Sequence, residues 1–377
     1  MKTKYLMLAM TAVLVASCSQ NDVMMDGAPS DRSIGFKVYT GVQARGAVTD
    51  TPEIQKKNNG FGVFAYLTNG EYATATSKSL YMDNVRVSYD GTSNWEYSPL
   101  KYWPTNGTDK VSFFAYAPYN ANGLTITANA TTPPSKLRLE LPEKNQKDMV
   151  DLVVSEASDG ADKTSGKVTF NLKHVLTRVG LKAKTSLDIS NNGQTKVFIT
   201  GVTLVNTTKL YKEGTLDMAT SKWESLTAFG KDYPLQPVKS DDATIKGILN
   251  LTAANFAGYT KQSIDITANQ DGVSLFPQNE YLFLLPLSGS SESGSSKGDI
   301  KVKIDYDIVT MPSYGATTHA VSSKTEEISM PASSFKQGTA YMFVFNITMA
   351  GIEVSASVAD WTTDTDSTIP VPETTAP

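Results

Sequence analysis

The sequence predicts an all-β protein, folded as two β-sandwich domains in tandem behind a secretory signal. Three observations predict it. Apolar and polar residues alternate along many short segments, several other short segments are apolar throughout, and glycine-containing turn pairs punctuate the chain at short spacing. Alternation with period two marks a half-buried strand of an antiparallel sheet, because successive side chains point to opposite faces. Many short strands joined by such turns imply sandwiches or barrels. The chain of 377 residues, less its signal, is long enough for two domains of ordinary size.

The N-terminus comes first. Met1-Lys2-Thr3-Lys4 is a short basic head, Tyr5 to Val15 is an uncharged apolar run, and Val15-Ala16-Ser17 is a small-residue approach to Cys18. This is the layout of a signal peptide. The run is about half the ~20 residues that a membrane-spanning helix needs, so it reads as a cleaved signal. Leu14-Val15-Ala16-Ser17-Cys18 resembles a bacterial lipobox, in which cleavage falls before the cysteine and its sulfur takes a diacylglycerol. An ordinary signal peptide with a cysteine at its end is the plainer alternative. Residues 1–17 are therefore assigned to a lipoprotein signal peptide, and residues 18–32 to a polar tether without periodicity.

The body begins with Ile34 to Thr40, where Ile34, Phe36 and Val38 share one face. Alternation returns at Val85 and Val87, at Val168, Phe170 and Leu172, and at Val302, Ile304 and Tyr306. Phe61 to Leu67, Val111 to Ala117 and Tyr281 to Leu287 are apolar throughout, which suits strands buried on both faces. Turns are expected at Asn69-Gly70, Asp90-Gly91, Asn106-Gly107, Asn122-Gly123, Asp159-Gly160, Asn192-Gly193 and Asp271-Gly272. Helix signals are few; the best, Thr252 to Ala257, predicts one or two turns. Ser288 to Lys297, rich in Ser and Gly, reads as a loop or hairpin tip. No linker marks a domain boundary. It is placed near residue 175, giving an N-terminal sandwich over 33–175, a C-terminal sandwich over 176–361 and a flexible Thr/Asp/Pro-rich tail over 362–377.

Composition excludes several functions. The net charge of −4 leaves no basic footprint for nucleic acid. Cys18 is the single cysteine, so with that residue lipidated there is no disulfide and stability rests on packed cores. Two histidines, His174 and His319, and no remaining thiol rule out a zinc site of Cys/His type, and no metal or cofactor is expected. His174 lies in phase with Leu172 and Leu176, as a core or interdomain histidine would. His319 lies in a loop-like stretch without a nucleophile pattern. No phosphate loop and no nucleophile elbow is present, and no catalytic residue is assigned.

Four motifs follow one another along the chain. They are Trp95-Glu96-Tyr97 with Lys101-Tyr102-Trp103-Pro104 and Val111 to Pro118; Phe170 to Val179; Tyr281 to Pro286; and Phe335 to Tyr341 followed by Val358-Ala359-Asp360-Trp361. Together with the lipobox this ordered set resembles the fimbrillin family of Bacteroidales, the pilin lipoproteins. The resemblance implies two transthyretin-like sandwiches, export as a lipoprotein to the cell outer membrane, and assembly with other fimbrial subunits into a surface fimbria that supports adhesion. It also implies a trypsin-like, arginine-specific protease that cuts in the first domain and releases the first strand, and a groove so opened that accepts a strand from another subunit.

The residues can be matched to that scheme. Ile34 to Thr40 has the alternation of a removable first strand, and Arg45-Gly46 follows it among small residues that suit a cleavage loop. Arg32 is also nearby, but a cut there would leave the strand attached. Ile352, Val354, Ala356 and Val358 share one face of a strictly alternating segment, as a donor strand requires. The same segment is separated from the strand before it by Ala350-Gly351 alone, which equally suits a hairpin within its own domain. Trp95, Tyr97, Tyr102 and Trp103 could stack on sugars, as in a surface glycan-binding lipoprotein of a carbohydrate-uptake system. Core and sheet-edge packing is the plainer reading of the four rings.

Overall fold

The computed structural model describes residues 32–40, 51–56, 59–127, 136–143, 146–162, 164, 166–187, 193–205, 210–235, 249–267, 271–277, 281–287, 300–330, 335–348 and 350–360. These residues form 23 strands and one short α-helix. The strands in the first half are β1 (Phe36–Tyr39), β2 (Phe61–Thr68), β3 (Lys78–Tyr89), β4 (Trp95–Glu96), β5 (Lys110–Ala117), β6 (Leu124–Thr127), β7 (Lys136–Glu140), β8 (Val153–Ser155), β9 (Ser158–Ala161) and β10 (Val168–His174). Then follow β11 (Thr177–Thr185), β12 (Thr195–Val205), β13 (Tyr211–Asp217), β14 (Lys222–Ala228), β15 (Tyr233–Pro234), β16 (Thr252–Ala253), β17 (Gln262–Asp265) and β18 (Val273–Ser274). The chain closes with β19 (Leu282–Leu284), β20 (Lys301–Thr310), β21 (Ala320–Ser329), β22 (Thr339–Ile347) and β23 (Ile352–Asp360); the helix is α1 (Thr51–Gln55). The all-β class expected from the sequence is the observed one.

Four sheets result. The largest runs β1-β10-β8-β5-β2-β3-β4, with β9 also on β5. A six-stranded sheet runs β16-β17-β12-β20-β21 with β15 on β12, and a five-stranded one runs β18-β11-β22-β23 with β19 on β11. The fourth, β14-β13-β7-β6, takes two strands from each side of residue 175. Period two predicts antiparallel neighbours, and most are. The exceptions are β1 on β10 and β11 on β22, which run parallel. Parallel neighbours require long crossovers, which local alternation does not encode.

The apolar runs occupy the middle of the first sheet because they are covered on both faces. Phe61, Val63 and Ala65 of β2, with Val111, Phe113 and Ala115 of β5, face one core together with Ile34, Phe36, Val38 and Phe170. Phe64, Tyr66, Phe114 and Tyr116 face the opposite way, into a larger core that continues through β11, β12, β20 and β22. Gly62 sits directly across from Tyr116, and a Cβ at that position would lie 2.2 Å from the Tyr116 ring, so the run needs a glycine there.

Two local expectations are overturned. Thr252 to Ala257 is not helical: Thr252 and Ala253 pair with Ser263 and Gln262, and Phe256 turns back onto the Phe198 ring. Burial against a neighbouring aromatic outweighs a weak helix propensity. Asp159-Gly160 is not a turn but lies within β9, where the Asp159 carboxylate accepts hydrogen bonds from Tyr72 N and Ser112 Oγ, both at 2.7 Å. The helix that does form, at Thr51-Pro52-Glu53, has the proline and acidic residue that favour a helix start.

Val175 and Leu176 link β10 to β11 and are fully buried, and Trp223 of β14 donates its indole N–H to the Val175 carbonyl at 2.7 Å. Trp223→Phe would orphan that carbonyl and also leave a void where the indole's second ring packs. The unfolding free energy in urea should fall by about 1–3 kcal/mol with an unchanged m value.

The outer face of the six-stranded sheet carries a small cluster of Phe198, Tyr259 and Val309. Asp307 is buried beside it and accepts from Tyr259 Oη at 2.7 Å and Lys261 Nζ at 3.1 Å. Burial alone would raise its pKa, but hydrogen bonds from Ser323, Tyr259 and Lys261 outweigh that and hold the carboxyl below its ordinary value. A depressed folded pKa contributes stability above the unfolded value and loses it as pH falls through the folded one. Asp307→Asn should therefore narrow the stability difference between about pH 7 and about pH 3, measured by urea unfolding at each pH.

Candidate functional site: the seat of the first strand

Ile34 to Thr40 adopts the predicted alternation. Ile34, Phe36 and Val38 are buried, while Lys37 faces solvent and Tyr39 is 54% exposed. The strand is held on both edges. Along one, β1 runs parallel to β10 in the register Phe36–Val168, Val38–Phe170, and Val168 N donates to Gly35 O at 2.8 Å. Along the other, Ile34 N donates to Lys101 O at 2.9 Å and Trp103 N donates to Arg32 O at 2.8 Å. The segment thus bridges the end of the sheet at β10 and the strand-like stretch at Lys101–Trp103 that follows β4. Its far end is tied to α1, where Thr40 N donates to Thr51 Oγ1 at 3.3 Å.

The inward face fits an aromatic cage. The Phe36 ring lies 5.2 Å from Tyr97, 5.6 Å from Phe170 in a stacked arrangement, 5.9 Å from Phe113 and 6.4 Å from Phe61. Such ring pairs add stabilisation beyond area burial. Tyr97 also closes the backbone: its hydroxyl donates to Ile34 O at 2.8 Å. Burial raises the pKa of that hydroxyl above its ordinary value, so it stays protonated and remains a donor. The Trp95 ring packs edge-on against Phe61 and Trp103 against Phe113, so both serve the same core. Of the four rings that could form a sugar platform, Tyr102 is the one left exposed, and its carbonyl accepts from Tyr81 Oη at 2.5 Å.

Cys18, Arg45 and Gly46 lie outside the described residues. Ile352 to Asp360 forms β23, an edge strand paired antiparallel with β22 along its whole length, from Ile352 opposite Ile347 to Asp360 opposite Thr339. Ile352, Val354 and Ala356 are half-buried against the main core, and Val358 pairs with Tyr341 through the backbone. The hairpin turn closes through Thr348 N donating to Gly351 O at 2.8 Å, and Ile352 N donates to Glu326 Oε2 at 3.0 Å. The structure therefore seats both candidate segments within this chain, at the ends of two different sheets.

The two histidines are both partnered within the fold. His174 Nδ1 lies 3.1 Å from Asp151 Oδ1, with both side chains buried, and His319 Nδ1 donates to the Ala257 carbonyl. A cavity of about 190 Å³ on the outer face of the six-stranded sheet is lined by Lys196, Phe198, Phe256 and Asp265, and its two charges pair with each other at 2.6 Å. Among the described residues no group of three or more His, Cys, Asp or Glu is placed to hold a metal ion. Sequence reasoning found the first strand but not the part played by Tyr97 and Lys101–Trp103 in gripping it. The aromatic motif was the visible signal, and its spatial partner was not.

Phe36→Ala should lower the unfolding free energy by about 3–5 kcal/mol, the cost of emptying an aromatic core site. Lys37→Ala, on the outward face, should change it by under about 0.5 kcal/mol. Urea unfolding of both variants provides the check.

Comparison with known proteins places this architecture. The family model described as fimbrillin-like matches residues 47–361. The chain is 32% identical over 392 residues to the fimbrium subunit Fim1C of Phocaeicola vulgatus, covering 98% of this chain and all of that one. The crystal structure of a fimbrial protein from Bacteroides vulgatus superposes with a TM-score of 0.75 at 30% identity, covering 88% of this chain and 99% of that one. With a family model matching most of its length and this relative aligned over 98% of it, the chain belongs to the fimbrillin-like family.

Proposed function

We propose that the chain is a structural subunit of a bacterial surface fimbria, anchored through lipid at Cys18 and assembled by removal of its first strand. A trypsin-like protease cuts between Arg45 and Gly46, the strand leaves, and an extended strand from another subunit takes its place. The observation that carries this reading is the two-sided seat of residues 32–40: a short segment, gripped by backbone hydrogen bonds on both edges and burying three alternate side chains. Losing it leaves unpaired N–H and C=O groups beside an open apolar core, which is the condition under which a sheet recruits a strand from another chain. Each apolar side chain returned to that core is worth about 1.5–3 kcal/mol. The relatives named as a fimbrium subunit and a fimbrial protein support the fimbrial-subunit part of this reading.

In this scheme β23 is the segment given to the next subunit. Its Ile352, Val354, Ala356 and Val358 alternate as a donor must, and its place at a sheet edge allows it to leave by breaking pairing on one side. Lipidated Cys18 holds the precursor at the outer membrane until the cut releases the rest of the chain.

The test is the N-terminal residue and intact mass of the protein recovered from the native cell surface. A start at Gly46 without lipid is expected, and Arg45→Ala should leave a lipidated chain that enters no fimbria. A lipidated Cys18 start throughout would sink the proposal. Val354→Asp should yield a folded chain, judged by circular dichroism, that fails to join fimbriae; incorporation of that variant would remove β23 from the mechanism.

A further inference from the structure

Resting on the strand-exchange reading, we propose that Tyr81 is a positioning residue of the seat: its hydroxyl keeps Lys101–Trp103 extended after the first strand has left, so that an incoming strand meets an edge already formed. β3 is irregular at this point. Ala65 of β2 lies opposite Met82 and its neighbour Tyr66 lies opposite Leu80, so Tyr81 is an extra residue with no counterpart on β2. Such a β-bulge re-aims the side chain it carries. In an unbroken strand adjacent side chains point to opposite faces. Here Leu80 packs on the main core, while Tyr81 and Met82 both pack on the core that holds the first strand. The bulge thus turns the Tyr81 ring to the side of the seat.

There the hydroxyl meets the outer edge of the seat's wall. Lys101 and Trp103 direct their backbone to the first strand: Ile34 N donates to Lys101 O at 2.9 Å and Trp103 N to Arg32 O at 2.8 Å. Tyr102, between them, therefore directs its N–H and C=O the other way. Tyr81 Oη donates to Tyr102 O at 2.5 Å and accepts from Tyr102 N at 3.3 Å, so one hydroxyl takes the place of a neighbouring strand on that edge. The Lys101 ammonium adds a contact 5.2 Å from the Tyr81 ring centroid. When residues 32–40 leave, both inner bonds of the wall go with them, and so does the bond of Tyr97 to Ile34 O. The bonds to Tyr81 stay, because among the described residues its hydroxyl is bonded to Tyr102 and not to residues 32–40. Without them each arriving strand would have to order the wall, and the conformational entropy so lost would weaken and slow its binding.

The experiment uses the full chain with a specific protease site placed between residues 41 and 50. The cut chain is immobilised and washed until the first strand has left, and the binding of labelled Arg32–Thr40 peptide is followed in time. The unsubstituted chain is compared with Tyr81→Phe, which keeps the ring. The control is Tyr89→Phe, which removes from the same strand a hydroxyl that donates to Thr92 O at 2.7 Å in the turn to β4. Tyr81→Phe is expected to bind the peptide about three- to tenfold more weakly, the contribution of one net hydrogen bond, with the loss in the association rate, and Tyr89→Phe to stay within about twofold of the unsubstituted chain. A change under about twofold in Tyr81→Phe, or the same loss in Tyr89→Phe, overturns the role of Tyr81 while strand exchange stands. A loss confined to the dissociation rate overturns it as well, because Tyr81 would then tighten the filled seat and not hold the empty one. If the first strand does not leave the unsubstituted chain, or Arg32–Thr40 does not return to it, the strand-exchange reading falls and this inference with it.

Discussion

A sheet that is apolar on both faces must be covered on both, and this constraint organises the N-terminal half of the molecule. β2 and β5 present Phe64, Tyr66, Phe114 and Tyr116 to the main core and Phe61, Val63, Phe113 and Ala115 to the other side. Among the described residues, the second face is covered by Ile54 of α1, by Trp95, Tyr97 and Trp103 from one end and by residues 34–38 from the other. The first strand is thus the last piece of a core, not an ornament on its edge, and this is what makes its removal consequential.

The strands that frame the seat are also held from behind. β2 and β5 are fastened to the main core by their opposite faces, and β8 carries Val153 to one core and Val154 to the other. The walls of the Phe36 site therefore do not depend on Phe36 alone for their position. Walls held from behind do not move inward at low cost when the side chain they enclose is made smaller. The two halves of the chain are joined in the same spirit. β6 and β7 complete a sheet with β13 and β14, and Trp223 reaches back to the Val175 carbonyl.

The contrast between the two candidate exchange segments follows from their settings. Residues 32–40 are gripped on both edges and carry a ring into a closed cage. β23 is gripped on one edge and carries small and β-branched side chains, half-buried, against the rim of the main core. One segment is fastened at two edges around a buried ring, and the other lies half-buried along one edge.

Much of this was legible in the sequence because it is written in local periodicity. Alternation at Ile34 to Thr40 and Val168 to Leu172 and the uninterrupted runs at Phe61 and Val111 announced which strands bury one face and which bury two. Each is a property of neighbours along the chain, and the observed burial follows it. The misreadings came where long-range contacts overruled local preference. Asp159-Gly160 was drawn into a strand by Tyr72 and Ser112, and Thr252 to Ala257 was flattened onto Phe198. By itself the sequence determined the all-β class, the inward face of each alternating strand and the identity of the first strand, because period and composition act within a few residues. Only the tertiary structure decided that β1 runs parallel to β10, that Lys101–Trp103 grips its other edge, and that four rings distant in sequence meet around Phe36. Those facts depend on which strands become neighbours, and that is settled by the packing of the whole core.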